Sequence, residues 1–160
     1  MKVLVECSAD EVVLRNLGVW KRLLFHFGGK DKLITRLRDM PGAVGMVDED
    51  PASTQHPDLK TSYRRTYSAG GLYLLTRQGS GGQRLVVICP KLEDWLIERA
   101  KSSGIRPEDY GLPNDPDRLH SIPRYEQKEG FRRFLVELIE RDKGMHLLHR
   151  WIREAESELK

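Results

Sequence analysis

The sequence predicts an α/β fold: a Rossmann-like three-layer sandwich with a mostly parallel central sheet, covered at its C-terminal end by helices. Three observations predict it. Short aliphatic runs alternate with stretches of helical period over the first hundred residues. The runs are apolar almost throughout, as strands covered on both faces are. Residues 126–160 then carry one long helical stripe. A chain of 160 residues matches one domain, read as 1–160 with a core at 1–104 and a loop and helical cover at 105–160.

The elements follow in order. Lys2-Val3-Leu4-Val5-Glu6-Cys7 reads as a strand that feeds a helix, with Ser8 as N-cap and Glu11 three residues on in capping-box position. Val12, Val13 and Leu17 supply the apolar face and Gly18 the stop. Arg22 to Phe27 is a second strand and Gly28-Gly29 a turn. Leu33, Ile34 and Leu37 make a helical stripe that Met40-Pro41 ends. Ala43-Val44-Gly45-Met46-Val47 is a third strand running into Asp48-Glu49-Asp50-Pro51, where proline ends it. After a loop from Pro51 to Leu59, Gly71 to Arg77 and Gln83 to Cys89 form two strands about a glycine-rich turn. Leu92 to Ser103 is a helix closed by Gly104, and Arg106 to Pro123 a Pro- and Asp-rich connection. Phe131, Phe134, Leu135, Leu138 and Ile139 begin the final stripe. Gly144 marks a break, and Leu147, Leu148, Trp151 and Ile152 continue it.

Composition narrows the class. With 39% hydrophobic and 32% charged residues, long disorder and collagen-like repeats are excluded. No apolar run reaches the ~18–20 residues that span a bilayer, and Glu6 interrupts the first apolar run before a signal-peptide core forms, so a cytoplasmic protein with no membrane partner is expected. Cys7 and Cys89 are too few for a disulfide framework and are expected to be buried thiols. His146 and His149, three apart on a helix, have no acid or thiol partner nearby in sequence and read as ordinary surface or core-edge histidines.

Ligands of parallel sheets bind at the carboxyl ends of strands, and acids stand at three of those ends here. Glu6 follows the first strand, Asp48 and Asp50 follow the third, and Glu93 opens the helix after the strand ending at Cys89. In extended chain Asp48 and Asp50 share a side. Converging carboxylates need a cation, and hard oxygen donors suit Mg²⁺ or Mn²⁺. The same acids beside Pro51 are also ordinary turn chemistry, and Glu93 is well placed to interact with a helix dipole. A second feature is the stretch from Lys60 to Arg84, where Lys60, Arg64, Arg65, Arg77 and Arg84 occur without an acid and interleave with Tyr63, Tyr67 and Tyr73. It reads either as a solvated hairpin or as a surface that neutralises phosphates and stacks bases.

Val3-Leu4-Val5-Glu6 opening a strand–helix unit, with Val44-Gly45-Met46-Val47-Asp48-Glu49-Asp50 after it, resembles the TOPRIM fold, and within it the OLD-family nucleases and small stand-alone members. The resemblance covers roughly residues 1–100. It implies that Glu6 is the general acid or base and a metal ligand, that Asp48 and Asp50 bind Mg²⁺, and that Glu93 joins them. Cys7 stands where many members have glycine. The expectation is therefore Mg²⁺-dependent nuclease-like phosphodiester chemistry on DNA or RNA. The alternatives are a non-catalytic nucleic-acid-binding or adaptor module with a vestigial site, and an enzyme acting on a small nucleotide. A protein partner or a homo-oligomer is compatible with each.

Overall fold

The computed structural model describes residues 1–154. It is an α/β structure built on one six-stranded, mostly parallel mixed sheet in the order β2-β1-β3-β6-β5-β4. The strands are β1 (Val3–Val5), β2 (Leu24–His26), β3 (Val44–Asp48), β4 (Tyr63–Ala69), β5 (Leu72–Arg77) and β6 (Arg84–Ile88). The first four in that order are mutually parallel; β5 runs antiparallel to β6, and β4 antiparallel to β5, so that only β5 opposes the rest. The helices are α1 (Ser8–Asn16), α2 (Lys30–Leu37), α3 (Asp58–Thr61), α4 (Leu92–Ser102), α5 (Pro116–Ser121), α6 (Glu129–Arg141) and α7 (Lys143–Arg153). Among the described residues no helix is long and apolar enough to cross a membrane.

Strand alternation divides the core. Val3, Val5, Val44, Met46, Val86 and Ile88 face one side and pack with residues of α1, α4, α6 and α7, while Leu4, Val47, Leu85 and Val87 face the other and meet α2. Both faces are dry, which is why the parallel strands are apolar throughout. The close approach of α2 to β3 requires Gly45, because a Cβ there would stand 2.8 Å from both Leu33 Cδ2 and Leu85 Cδ1.

Several local expectations are corrected. The N-cap of α1 is Cys7 rather than Ser8, and the box closes on Asp10 instead of Glu11. Cys7 is consequently exposed and Cys89 only half buried, since both lie where the chain leaves the sheet. Residues 21–23 form a 3₁₀ turn, so the second strand is shortened to β2. Residues 63–69, unassigned from the sequence, are an edge strand carrying a bulge between Arg65 and Tyr67. The final stripe breaks at Asp142 and not at Gly144. Asp142 accepts the Met145 N–H at 3.1 Å as N-cap of α7, and Gly144 lies inside that helix against Arg99. Residues 155–160 of the expected helix lie outside the described residues.

Candidate functional site

The ends of β1, β3 and β6 meet at one edge of the sheet, and the acids expected from the sequence come together there. β3 is flanked by β1 and β6, so Glu6, Asp48 and the residues after Ile88 stand on adjacent strand ends. The helices that follow begin at the same edge. This brings Glu93 of α4 beside Asp48, and Asp10, in the first turn of α1, beside both Glu6 and Asp48.

The electrostatics record the crowding. The Glu6 carboxyl is pushed up to about 7, chiefly by burial and then by the charge of Asp48; Lys30 and the Asp48 backbone N–H oppose the shift. Asp48 is likewise pushed up to about 7 by burial and then by Glu93, against a donating Leu92 N–H. Its Oδ1 is buried without a hydrogen-bond partner. Asp10, 2% exposed, is held well above the carboxylate range by burial, Asp48 and Glu6, although the Cys7 N–H donates to it at 3.3 Å.

Asp50 departs from the expected geometry. The strand ends at Asp48, and Asp50 adopts a left-handed φ of 42°, so the strand pleat does not carry the two aspartates to one side. The turn still leaves Asp50 close enough to act on both Glu6 and Asp48, with Lys91 Nζ 4.0 Å from its Oδ1.

Glu93 is anchored. Its Oε1 accepts from the Tyr125 hydroxyl at 2.9 Å and pairs with His120 Nδ1 at 3.0 Å. Both partners come from the connection ahead of α6, which folds over the acidic edge. Lys30, the first residue of α2, donates to the Glu49 carbonyl at 2.7 Å and to Gln55 Oε1 at 2.8 Å, and faces Glu6, Asp50 and Asp48. Burial pulls its ammonium down, and these acids oppose that.

The sequence reading does not reach Asp10, His120 or Tyr125, and places Lys30 only at the end of Phe27-Gly28-Gly29-Lys30, read as a tight strand–helix turn. For Asp10 a signal existed, since the third residue of a helix that starts at a strand end folds back over that end. For His120 and Tyr125 none did.

The basic stretch is divided by the fold. Arg84 is 4% exposed and its guanidinium donates to the Trp151 carbonyl of α7, so it leaves the surface set. Arg77 pairs with Tyr63 and Thr76 with Arg84, in register with Val44, whereas Ile88 and Leu72 are in register with Asp48. Four residues of strand, or about 13 Å, therefore separate the Arg64–Arg77 end from the acidic edge. Arg65 lies nearer the acids, its guanidinium 3.9 Å above the Tyr73 ring and close to Cys89. Lys60 is exposed on α3.

Among the described residues no group of three or more His, Cys, Asp and Glu side chains is already gathered to hold a metal ion. The donor set nevertheless fits a divalent cation. Its members are carboxylates, those of Glu6 and Asp48 are pushed up by burial and by neighbouring acids, and one oxygen of Asp48 is buried and unsatisfied. Comparison of the chain with protein-family models, with curated proteins and with solved structures finds no match.

Proposed function

We propose that this is a TOPRIM-like protein that binds Mg²⁺, or Mn²⁺, through Glu6, Asp48 and Asp50 and carries out phosphodiester chemistry on nucleic acid. The observation that carries the reading is the buried, unpartnered Asp48 carboxylate oxygen within a set of mutually repelling acids at the carboxyl edge of parallel strands. A divalent cation there supplies positive charge against the negative charge that develops on a reacting phosphate.

The side chains supply the rest. Asp48 and Asp50 would hold the ion together with Glu6. The Glu6 carboxyl, pushed up by burial and by Asp48 when no ion is bound, would also be the group that takes or gives a proton at the attacking or leaving oxygen. Lys30 stands beside Glu6 and Asp50, placed to offset phosphate charge. Glu93 sits behind Asp48, its position set by Tyr125 and His120, as the outer member of the acidic set.

The test is incubation of labelled single- and double-stranded DNA and RNA with the protein in Mg²⁺ or Mn²⁺, alongside Asp48→Ala. Metal-dependent product from the wild type and none from the variant is the expected result. Equal product from both overturns the catalytic claim. Salt-dependent binding without cleavage would instead identify the non-catalytic binding module.

A further inference from the structure

Among the described residues two that are not glycine, Asp50 and Arg124, have a left-handed backbone, and Asp50 belongs to the acidic set. Aspartate tolerates that conformation better than most side chains do, yet it persists only where the surroundings hold it. On the sheet side the Glu49 N–H donates to the Ile88 carbonyl at 2.7 Å and the Asp50 N–H to the Pro90 carbonyl at 2.9 Å. On the loop side Ser53 closes a four-residue turn in which Pro51 takes the second place. Its N–H and its hydroxyl donate to the Asp50 carbonyl at 3.0 and 2.8 Å.

That turn reverses the chain without fastening it to the rest of the molecule. Gln55, half-buried five residues on, does so. Its amide nitrogen donates to the Ser53 carbonyl at 3.0 Å, to the Asp50 carbonyl at 3.1 Å and, at 3.4 Å, to that of Glu49. Its amide oxygen accepts from Lys30 Nζ at 2.8 Å, and Lys30 donates again to the Glu49 carbonyl at 2.7 Å. One side chain thus joins the first residue of α2 to the backbone that carries Asp50. The task needs an amide: an acceptor for an ammonium and donors for carbonyls, at one end of one side chain. Glutamate has no donor to offer, and lysine and arginine have no acceptor.

We propose that Gln55 is a positioning residue of the cation site: it fixes Asp50 in its left-handed turn, the carboxylate within reach of Glu6 and Asp48, and locks that turn to Lys30. The role rests on the cation reading above and adds to it a residue outside the acids. The loop itself has another anchor, where His56 Nε2 bonds the Thr35 hydroxyl of α2 at 2.9 Å. Holding the loop on α2 therefore does not depend on Gln55 alone, and what Gln55 adds is the grip on the Asp50 backbone.

The experiment is a Mn²⁺ titration of the full chain, read from the electron paramagnetic resonance signal of free Mn²⁺, with melting in EDTA to verify that each variant is folded. Gln55→Met fills the space with neither donor nor acceptor and should bind Mn²⁺ roughly 10- to 100-fold more weakly than wild type. Gln55→Glu keeps the length and the contact with Lys30 but cannot donate. It should also bind more weakly, although it brings a further negative charge toward the ion. His56→Ala frees the other anchor without touching Asp50 and should stay within about two-fold of wild type.

Undiminished affinity in either Gln55 variant overturns the positioning role. So does an equal loss in His56→Ala, which would make the loop as a whole what the site needs. The two proposals fail distinguishably. Absence of Mn²⁺ binding in the wild type removes the cation reading and this role with it. Binding that Asp48→Ala abolishes and Gln55→Met leaves intact removes this role alone. Binding that both variants weaken, with no cleavage of nucleic acid, keeps the role and removes the catalysis.

Discussion

Asp48 is an ionisable side chain held where ionisation is costly. Asparagine there keeps the shape and an acceptor for the Leu92 N–H while removing the charge that burial, Glu93 and Asp50 oppose. Asp48→Asn should therefore melt a few degrees higher than wild type in EDTA at pH 8, and should lack the further rise in Mg²⁺ that the proposed site predicts for the wild type, both read by differential scanning fluorimetry. A variant that melts lower in EDTA would mean that the aspartate is satisfied as it stands. Arg84 makes the opposite case. Its guanidinium caps the Trp151 carbonyl at the end of α7, so Arg84→Ala should cost about 3 kcal/mol in urea unfolding and, if the proposed nucleic-acid binding is found, leave its salt dependence unchanged. At this scale the sequence was legible where local chain direction decides, as for Glu6 and Asp48 at strand ends. It was not legible where a distant element decides. Arg84 opens a strand beside a glycine-rich turn, and only the return of a helix 67 residues later buries it.

Elements were legible in proportion to the regularity of their apolar pattern. The Leu33, Ile34 and Leu37 stripe of α2 is fully buried as its spacing requires. β4 is not legible because Tyr63 to Ala69 carry two adjacent arginines and no alternating apolar pattern, and only pairing with β5 defines the segment as a strand. The break between α6 and α7 was misplaced because glycine is a strong local stop, whereas here a side chain does the work. Asp142 accepts from Met145 N–H and from the Ser103 hydroxyl at 3.1 Å each, and lies 3.8 Å from Arg99. Asp142→Ala should lower stability by about 2–3 kcal/mol in urea unfolding, the cost of a cap and a buried acceptor together. Gly144 is needed for packing, since a Cβ would stand 2.7 Å from Arg99 Cδ. Gly45→Ala should cost about 1–3 kcal/mol by forcing α2 away from β3, measured the same way.

The whole molecule carries the acidic edge as a pH-dependent load. Glu6 and Asp48 titrate near 7 in the fold, against 4.5 and 3.8 ordinarily, so between those values the folded chain holds more protons than the unfolded one. Their contribution is fully present below about 4 and is lost as pH rises through about 7. The melting temperature in EDTA should accordingly fall between pH 5.5 and 8, and Mg²⁺ should restore more of it at pH 8; a flat or rising profile would contradict the coupling. The division of the basic stretch has a further, kinetic consequence. Acids crowd one end of the sheet while Arg64 and Arg77 mark the other, about 13 Å away along the strands. Such a molecule has an electric axis as well as a net charge of +3. In solution it rotates in the field of a polyanion before contact, arginine end leading, and meets it in a biased orientation. Its association rate should thus fall more steeply with ionic strength than that of a uniform sphere of the same charge, and neutralising Arg64 and Arg77 should flatten that slope.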